Sequence, residues 1–243
     1  MDFAARLQGP AGIEERIAAA CRQAGRERGD VALVAVSKEQ PDDAIRAFHA
    51  LGVRDFGENK VQALAGRIER LADLAGLRWH AIGPVQSNKA KDIARLRPAL
   101  VHTIDRAELV HALARRLETA AGPLPCLIQV NVDREPQKAG VLPESVGALA
   151  DLVAATPTLE CHGLMAIPRP LDEVGADALA RSFEGMRALL EDVSDRLAPG
   201  PRVLSMGMSD DFELAISHGA TLVRVGTALF GPRSQARLEG GPP

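Results

Sequence analysis

Short apolar runs recur along this chain, and amphipathic stretches separate them. The runs read VALVAVS (31–37), RDFGEN (54–59), RWHAIG (78–83), LVHTID (100–105), PCLIQVNV (125–132), LECHGLMAI (159–167), RVLSMG (202–207) and LVRVGTALFG (222–231). Their length and the turn residues around them predict strands. The stretches between carry helical signals instead. PDDAIRAFHALG has proline and two acids in its first turn and glycine at its end, which start and stop a helix. RAELVHALARRLETAAG follows Asp105, a candidate N-cap. PESVGALADLVAAT and ADALARSFEGMRALLEDVSDRLA show apolar positions at helical spacing, and DDFELAISHG reads as a short helix with an acidic start and a glycine stop.

Strands alternating with helices predict a parallel sheet, because parallel strands need crossover connections. Eight such units in 243 residues predict an α/β fold, a (β/α)8 TIM barrel in a single domain. The barrel spans about residues 31–231, an extra N-terminal helix covers about 13–28, and a short tail ends in EGGPP. An open doubly wound sheet is the alternative. No GxGxxG follows the first strand, which counts against dinucleotide binding.

Composition narrows the function classes. Hydrophobic residues make up 46% of the chain and charged residues 25%, enough to build a core. Net charge is −3, with 29 basic and 32 acidic residues and no basic stripe, so nucleic acid is not an expected partner. No window approaches the apolar length of a membrane span, and the acidic N-terminus lacks the apolar region of a signal peptide. The three cysteines, Cys21, Cys126 and Cys161, show neither a metal-binding nor a disulfide spacing. A reducing cytoplasm is the expected location. The chain contains no tyrosine.

Barrels of this kind carry their active sites at the C-terminal ends of the strands. Those ends hold Lys38, Glu58 and Asn59, the run Gln86 to Lys89, Asn131, Met165, the turn SMGMSDD, and Arg224 with Gly226 and Thr227. Loops after the last two strands form a recurrent phosphate cradle. Here they are SMGMSDD and VGTALFG, rich in small residues and hydroxyls; the structural alternative is two tight turns with a serine cap. Arg224 shares a strand face with Leu222 and Gly226. Buried there, it needs a partner, either a carboxylate such as Glu58 or a ligand atom. Lys38 ends the first strand on the parity of Val34 and Val36. It is either a snorkelling side chain or a desolvated amine able to attack a carbonyl. A Schiff-base lysine, a phosphate cradle and an arginine on one rim suggest pyridoxal 5′-phosphate. His80 and His102 lie within strands and read first as hydrogen-bonded fillers of the barrel, with acid–base work as the alternative.

The ordered segments LVAVSKEQP, FGEN, WHAIGPVQSNK, VHTIDR, QVNVDREPQKAG, GLMAIP, LSMGMSDDFELAI and VRVGTALFG resemble the pyridoxal-phosphate homeostasis proteins, the YggS/PROSC family. The resemblance covers about residues 31–231. It implies a barrel like the N-terminal domain of alanine racemase, with pyridoxal 5′-phosphate held as an internal aldimine on Lys38. It also implies that Ser205, Gly207, Ser209, Gly226 and Thr227 hold the phosphate and that Arg224 faces the pyridine nitrogen. Asn59, His80 and Met165 would line the pocket. Lys138 matches a family lysine to which the sequence assigns no role. The chain departs from the family pattern at Lys60, where tyrosine is usual, at Ala63 in place of an acid, and at Ala81 in the third strand.

The same residues bear on turnover. Racemisation needs a base on each face of the substrate carbon, and the racemases draw the second, a tyrosine, from a separate C-terminal β-domain. Neither is expected in this chain. An arginine at the pyridine nitrogen is a permanent donor and keeps that nitrogen unprotonated, which weakens the ring as an electron sink. The expected role is therefore a non-catalytic carrier that buffers pyridoxal phosphate or delivers it to apo-enzymes, acting as a monomer. The alternatives are a racemase-like enzyme using another acid and a cofactor-free Schiff-base aldolase acting on a sugar phosphate.

Overall fold

Val34, Leu100, Leu127, Met165 and Leu222 come from five strands far apart in sequence, yet they meet in one apolar cluster. A closed barrel brings them there. The computed structural model describes residues 2–231. Its strands are β1 (Ala32–Val36), β2 (Asp55–Glu58), β3 (Arg78–Ala81), β4 (Leu100–Ile104), β5 (Leu124–Val130), β6 (Leu159–Ala166), β7 (Val203–Ser205) and β8 (Leu222–Val225). They pair in parallel in chain order, and β8 closes on β1. The predicted (β/α)8 barrel is the observed fold.

Strand parity sorts the side chains. Val34 is in register with Arg224 and Ala35 with Val225. Val34 and Arg224 turn inward, while Leu33, Ala35, Val223 and Val225 join the larger core beneath the helices. Two apolar layers result, one filling the lumen and one between barrel and helices, as a filled barrel requires.

The helices are α1 (Phe3–Gln8), α2 (Ile13–Gln23), α3 (Asp42–Ala50), α4 (Val61–Arg70), α5 (Ala90–Leu96), α6 (Ala107–Ala114), α7 (Val146–Ala154), α8 (Leu171–Val174), α9 (Ala176–Asp192), α10 (Phe212–Ser217) and α11 (Thr227–Phe230). The predicted helix over 13–28 stops at Gln23. Gly25 lies at φ 67, its N–H bonds to Arg22 O, and Arg26 N bonds to Cys21 O at 2.9 Å. This left-handed C-terminal motif ends the helix. A further helix, α1, precedes it and packs Phe3 edge-on to Phe48 at 5.1 Å.

The predicted strand over 222–231 is shorter than expected. Gly226 leaves the extended region at φ −115 and ψ −80, and Thr227–Phe230 turn into α11. The apolar residues there leave the barrel wall: Phe230 packs on Phe48 of α3 at 4.8 Å. Asp105 does not cap α6. Arg106 occupies that position, and the Asp105 carboxylate pairs with the Arg106 guanidinium. The expected EGGPP tail lies outside the described residues. Among the described residues no helix is long and apolar enough to cross a membrane.

Candidate functional site

Closure of β8 on β1 sets the strand-one lysine beside the strand-eight arginine. Lys38, in the turn after β1, lines a cavity of about 190 Å³ with Val36, Gln40, Ser209, Arg224 and Thr227; Met208, Asp210, Gly226 and Gly231 complete its wall. The rim thus unites residues almost 190 positions apart in sequence, Lys38 and Thr227 among them.

The Lys38 turn is held from below. Gln40 N bonds to Ser37 O at 3.0 Å, and Glu39 adopts φ 63, a left-handed conformation uncommon for a residue with a side chain. Arg67 of α4 donates to Gln40 O and to Asp42, and Asp42 also receives Arg70 Nε at 2.6 Å. The Ser37 hydroxyl donates to Glu58 Oε1 at 2.8 Å, and Arg67 Nε approaches the same oxygen at 3.3 Å. Burial pushes the Glu58 carboxyl up against the opposing pull of the Ser37 hydroxyl. Glu58 is thus committed to Ser37 and Arg67, and it is not the partner of Arg224.

The turn after β7 needs its glycine. Gly207 sits at φ 91, and a Cβ there would lie 2.6 Å from Ala215 Cβ and 3.0 Å from Phe212 Cα. Only a glycine satisfies both limits. Asp211 Oδ1 accepts the Met208 N–H at 2.5 Å and tightens the same turn. Burial raises the Asp211 carboxyl, with the Met208 N–H and Arg224 opposing. The Ser209 hydroxyl accepts the Ala228 N–H at 3.3 Å, which ties the β7 turn to the β8 turn. The helices that follow, α10 and α11, have 6 and 4 residues. Hydroxyls and turn N–H groups, more than helix dipoles, are therefore the donors at this end of the cavity.

Arg224 is 4% exposed. Its Nη1 donates to Ser205 Oγ at 2.6 Å and its Nη2 to Ala166 O at 2.9 Å. Burial pulls the guanidinium down to about 10, and the charge of Asp211 partly restores it. Ser205 in turn lies 3.0 Å from His102 Nδ1, His102 Nε2 lies 3.0 Å from His80 Nδ1, and His80 Nε2 lies 2.9 Å from Asp55 Oδ1. Burial holds the His102 imidazole well below its ordinary range, with the neighbouring His80 and Arg224 acting in the same direction.

Of the expected site residues, Lys38, Ser209, Arg224, Gly226 and Thr227 meet around one cavity. Gly207 shapes the turn without lining it. Ser205 is fully buried, and its hydroxyl engages Arg224 and His102 instead of facing the cavity. His80 and Met165 fill the lumen below, and Asn59 lies at the end of β2, outside the cavity wall. Asn131 closes its own loop through Glu135, and Lys138 pairs with Glu135 at 2.6 Å and bonds to Pro168 O at 3.0 Å. The support of the Lys38 turn by Arg67 was not anticipated. A helix opening two residues after FGEN with arginine on its inner face was the available signal.

The donor set fits a phosphorylated pyridine aldehyde: an amine for the aldehyde, a guanidinium for the ring, hydroxyls and turn N–H groups for the phosphate. Among the described residues no group of three or more His, Cys, Asp or Glu could hold a metal ion.

Comparison with known proteins places the chain in a family. The family profile of the alanine racemase N-terminal domain matches residues 12–234. The pyridoxal phosphate homeostasis protein of Pseudomonas aeruginosa is 47% identical over 221 residues, covering 91% of this chain and 93% of that protein. The protein of the same name from Escherichia coli is 39% identical over 229 residues, covering 93% and 95%. PipY of Synechococcus elongatus, solved with pyridoxal phosphate bound, superposes with a TM-score of 0.76 at 35% identity, covering 90% of this chain and 100% of its own. The relatives from Pseudomonas aeruginosa and Escherichia coli carry the name of a homeostasis protein and not of an enzyme. The chain belongs to the alanine racemase N-terminal domain family and, within it, to the pyridoxal phosphate homeostasis proteins.

Proposed function

We propose that this chain holds pyridoxal 5′-phosphate reversibly in the Lys38 cavity, limits the free reactive aldehyde, and delivers the cofactor to apo-enzymes. One observation carries the reading. Lys38, Arg224, Ser209 and Thr227 line a single cavity, and between them they offer a matching group for each functional part of that cofactor. When bound, the cofactor supplies an aldehyde that condenses with an amine; Lys38 provides that amine. Ser209 and Thr227 bind the phosphate. Arg224, held from behind by Ser205 and Ala166, orients the ring and donates toward it, so the ring nitrogen keeps its lone pair engaged.

The same geometry disfavours turnover. The cavity wall contains one carboxylate, Asp210, and the chain contains no tyrosine. A second base facing a substrate carbon opposite Lys38 would have to be Asp210. The described residues expose few large hydrophobics, Leu142 at 40% and Ile167 at 38%, which supports a monomer. Three buried, unpaired cysteines suit a reducing cytoplasm.

Spectral titration with pyridoxal phosphate, followed by addition of an apo-enzyme and an amino-acid turnover assay, tests the reading. Saturable binding, reactivation of the apo-enzyme and no turnover are expected. Racemisation abolished by both Lys38→Ala and Asp210→Asn would favour the enzyme instead, and absence of binding would leave the cofactor-free aldolase.

A further inference from the structure

Five polar side chains cross the barrel lumen in one continuous line. Arg224 on β8 reaches Ser205 on β7, Ser205 reaches His102 on β4, His102 reaches His80 on β3, and His80 reaches Asp55 on β2. The four contacts measure 2.6, 3.0, 3.0 and 2.9 Å. Ser205 and His102 are fully buried and His80 is 6% exposed. The line begins at the cavity beside Lys38 and ends at the opposite mouth of the barrel, where Arg78 Nε donates to Asp55 Oδ1 at 2.7 Å.

The chemistry of the two ends fixes the direction of every bond between them. A guanidinium only donates, and an ionised carboxylate only accepts. Asp55 is ionised: burial alone would raise its carboxyl, but the bonds from His80 and Arg78 outweigh burial and bring it to about 2. His80 therefore donates from Nε2, which leaves its Nδ1 as an acceptor. That acceptor takes Nε2–H of His102, so His102 Nδ1 accepts in turn. The Ser205 hydroxyl donates to it and receives Arg224 on its oxygen. Every group in the line is satisfied with both rings neutral. The reverse order fails, because Ser205 would then receive two donors and its own proton would find no acceptor along the line. A second proton on His102 would also set a buried imidazolium near Arg224.

We propose that Asp55, His80, His102 and Ser205 form a one-way hydrogen-bonded relay that orients Arg224 toward the cavity, making these four residues positioning residues for the ring of the bound ligand. This rests on the pyridoxal-phosphate reading for the ligand's identity, though not for the relay. The relay explains how a guanidinium with no carboxylate in direct contact among the described residues is kept in the lumen: a line of aligned donors joins it to the Asp55 charge. Aligned bonds of this kind strengthen one another in a low-dielectric interior. Ser205 loses proton density toward His102 and becomes a better acceptor for Arg224. The guanidinium is then fixed by Ser205 and Ala166, with its remaining N–H groups left for the cavity.

Two measurements test it. Long-range ¹⁵N–¹H correlation spectra of wild-type protein at neutral pH read the histidine tautomers directly, without any ligand. Both His80 and His102 are expected as neutral Nε2–H rings. An Nδ1–H tautomer or an imidazolium at either position overturns the relay. The second measurement follows pyridoxal phosphate binding in Asp55→Asn, whose substitution lies four hydrogen bonds from Arg224. Affinity is expected to fall by roughly three- to ten-fold and the absorbance maximum of the bound cofactor to move, with the adduct still on Lys38. A lowered Tm with unchanged affinity and spectrum would mean that Asp55 only supports the fold, and would overturn the positioning role. If wild-type protein forms no borohydride-stable adduct at all, the ligand reading fails by itself, and the tautomers still decide the relay.

Discussion

Arg224 donates to the Ser205 hydroxyl at 2.6 Å, and both side chains are buried in the lumen. The serine therefore supports the arginine below the cavity, while Ser209 and Thr227 line the cavity itself. The residues form two tiers: a lower one of Ser205, His102 and His80 behind the guanidinium, and an upper one that lines the cavity. Arg224→Gln keeps a donor but removes the charge. Hydrogen bonds from charged groups contribute about 1.5–3 kcal/mol, so pyridoxal phosphate affinity should fall by roughly 10- to 100-fold. Tm should change little, because a buried charge is removed together with its partial desolvation. Unchanged affinity in a spectral titration would remove Arg224 from the site.

Ser209 and the phosphate can be separated from the rest of the ligand. Ser209→Ala should weaken binding of pyridoxal phosphate by roughly 3- to 10-fold, the effect of about one hydrogen bond. Binding of pyridoxal, which lacks the phosphate, should stay as it was. Equal losses for the two ligands would place Ser209 elsewhere than at the phosphate.

Gly207→Ala tests the turn that carries Ser209. The new methyl meets Ala215 Cβ at 2.6 Å, at a φ of 91. Strain and overpacking together should destabilise the protein by about 1–3 kcal/mol, read as a lower Tm, with a parallel loss of cofactor affinity. Wild-type stability and affinity in this variant would contradict the turn geometry.

Acid sensitivity follows from Asp55. Its carboxyl lies at about 2 against an ordinary 3.8. The folded value is the lower one, so its stabilisation is complete above about pH 4 and is lost as pH falls toward about 2. The shift corresponds to about 2 kcal/mol. Asp55→Asn should be less stable than wild type by about that amount at pH 7, and denaturant midpoints of the two should converge only as pH falls below about 2. A gap independent of pH would show that the charge of Asp55 is not what stabilises.

Much of this was legible in the sequence because strand period and barrel closure are simple rules. VALVAVS and LVRV announce their strands, and parity put Arg224 on one face with Leu222; which face looks into the lumen is settled only by the cluster that Leu222 joins with Val34, Leu100, Leu127 and Met165. LVRVGTALFG misled at its far end: its apolar residues suggested a continuing strand, but Gly226 turns the chain and Phe230 finds Phe48 instead. Side-chain partners were harder to foresee. Glu58 was one candidate for Arg224, and only the packing of α4 shows Arg67 and Ser37 occupying it. The line from Asp55 to Arg224 draws one residue from each of five strands, and no local spacing encodes such a set. His80 and His102 could be read as hydrogen-bonded fillers, without the direction of their bonds.

The central claim is that Lys38 holds pyridoxal phosphate. Borohydride reduction of protein incubated with the cofactor, followed by peptide mass mapping, tests it most directly. The account predicts one reduced pyridoxyl group per chain, located on Lys38, and none on Lys38→Ala. A label on other lysines alone, or equal labelling of Lys38→Ala, would contradict it.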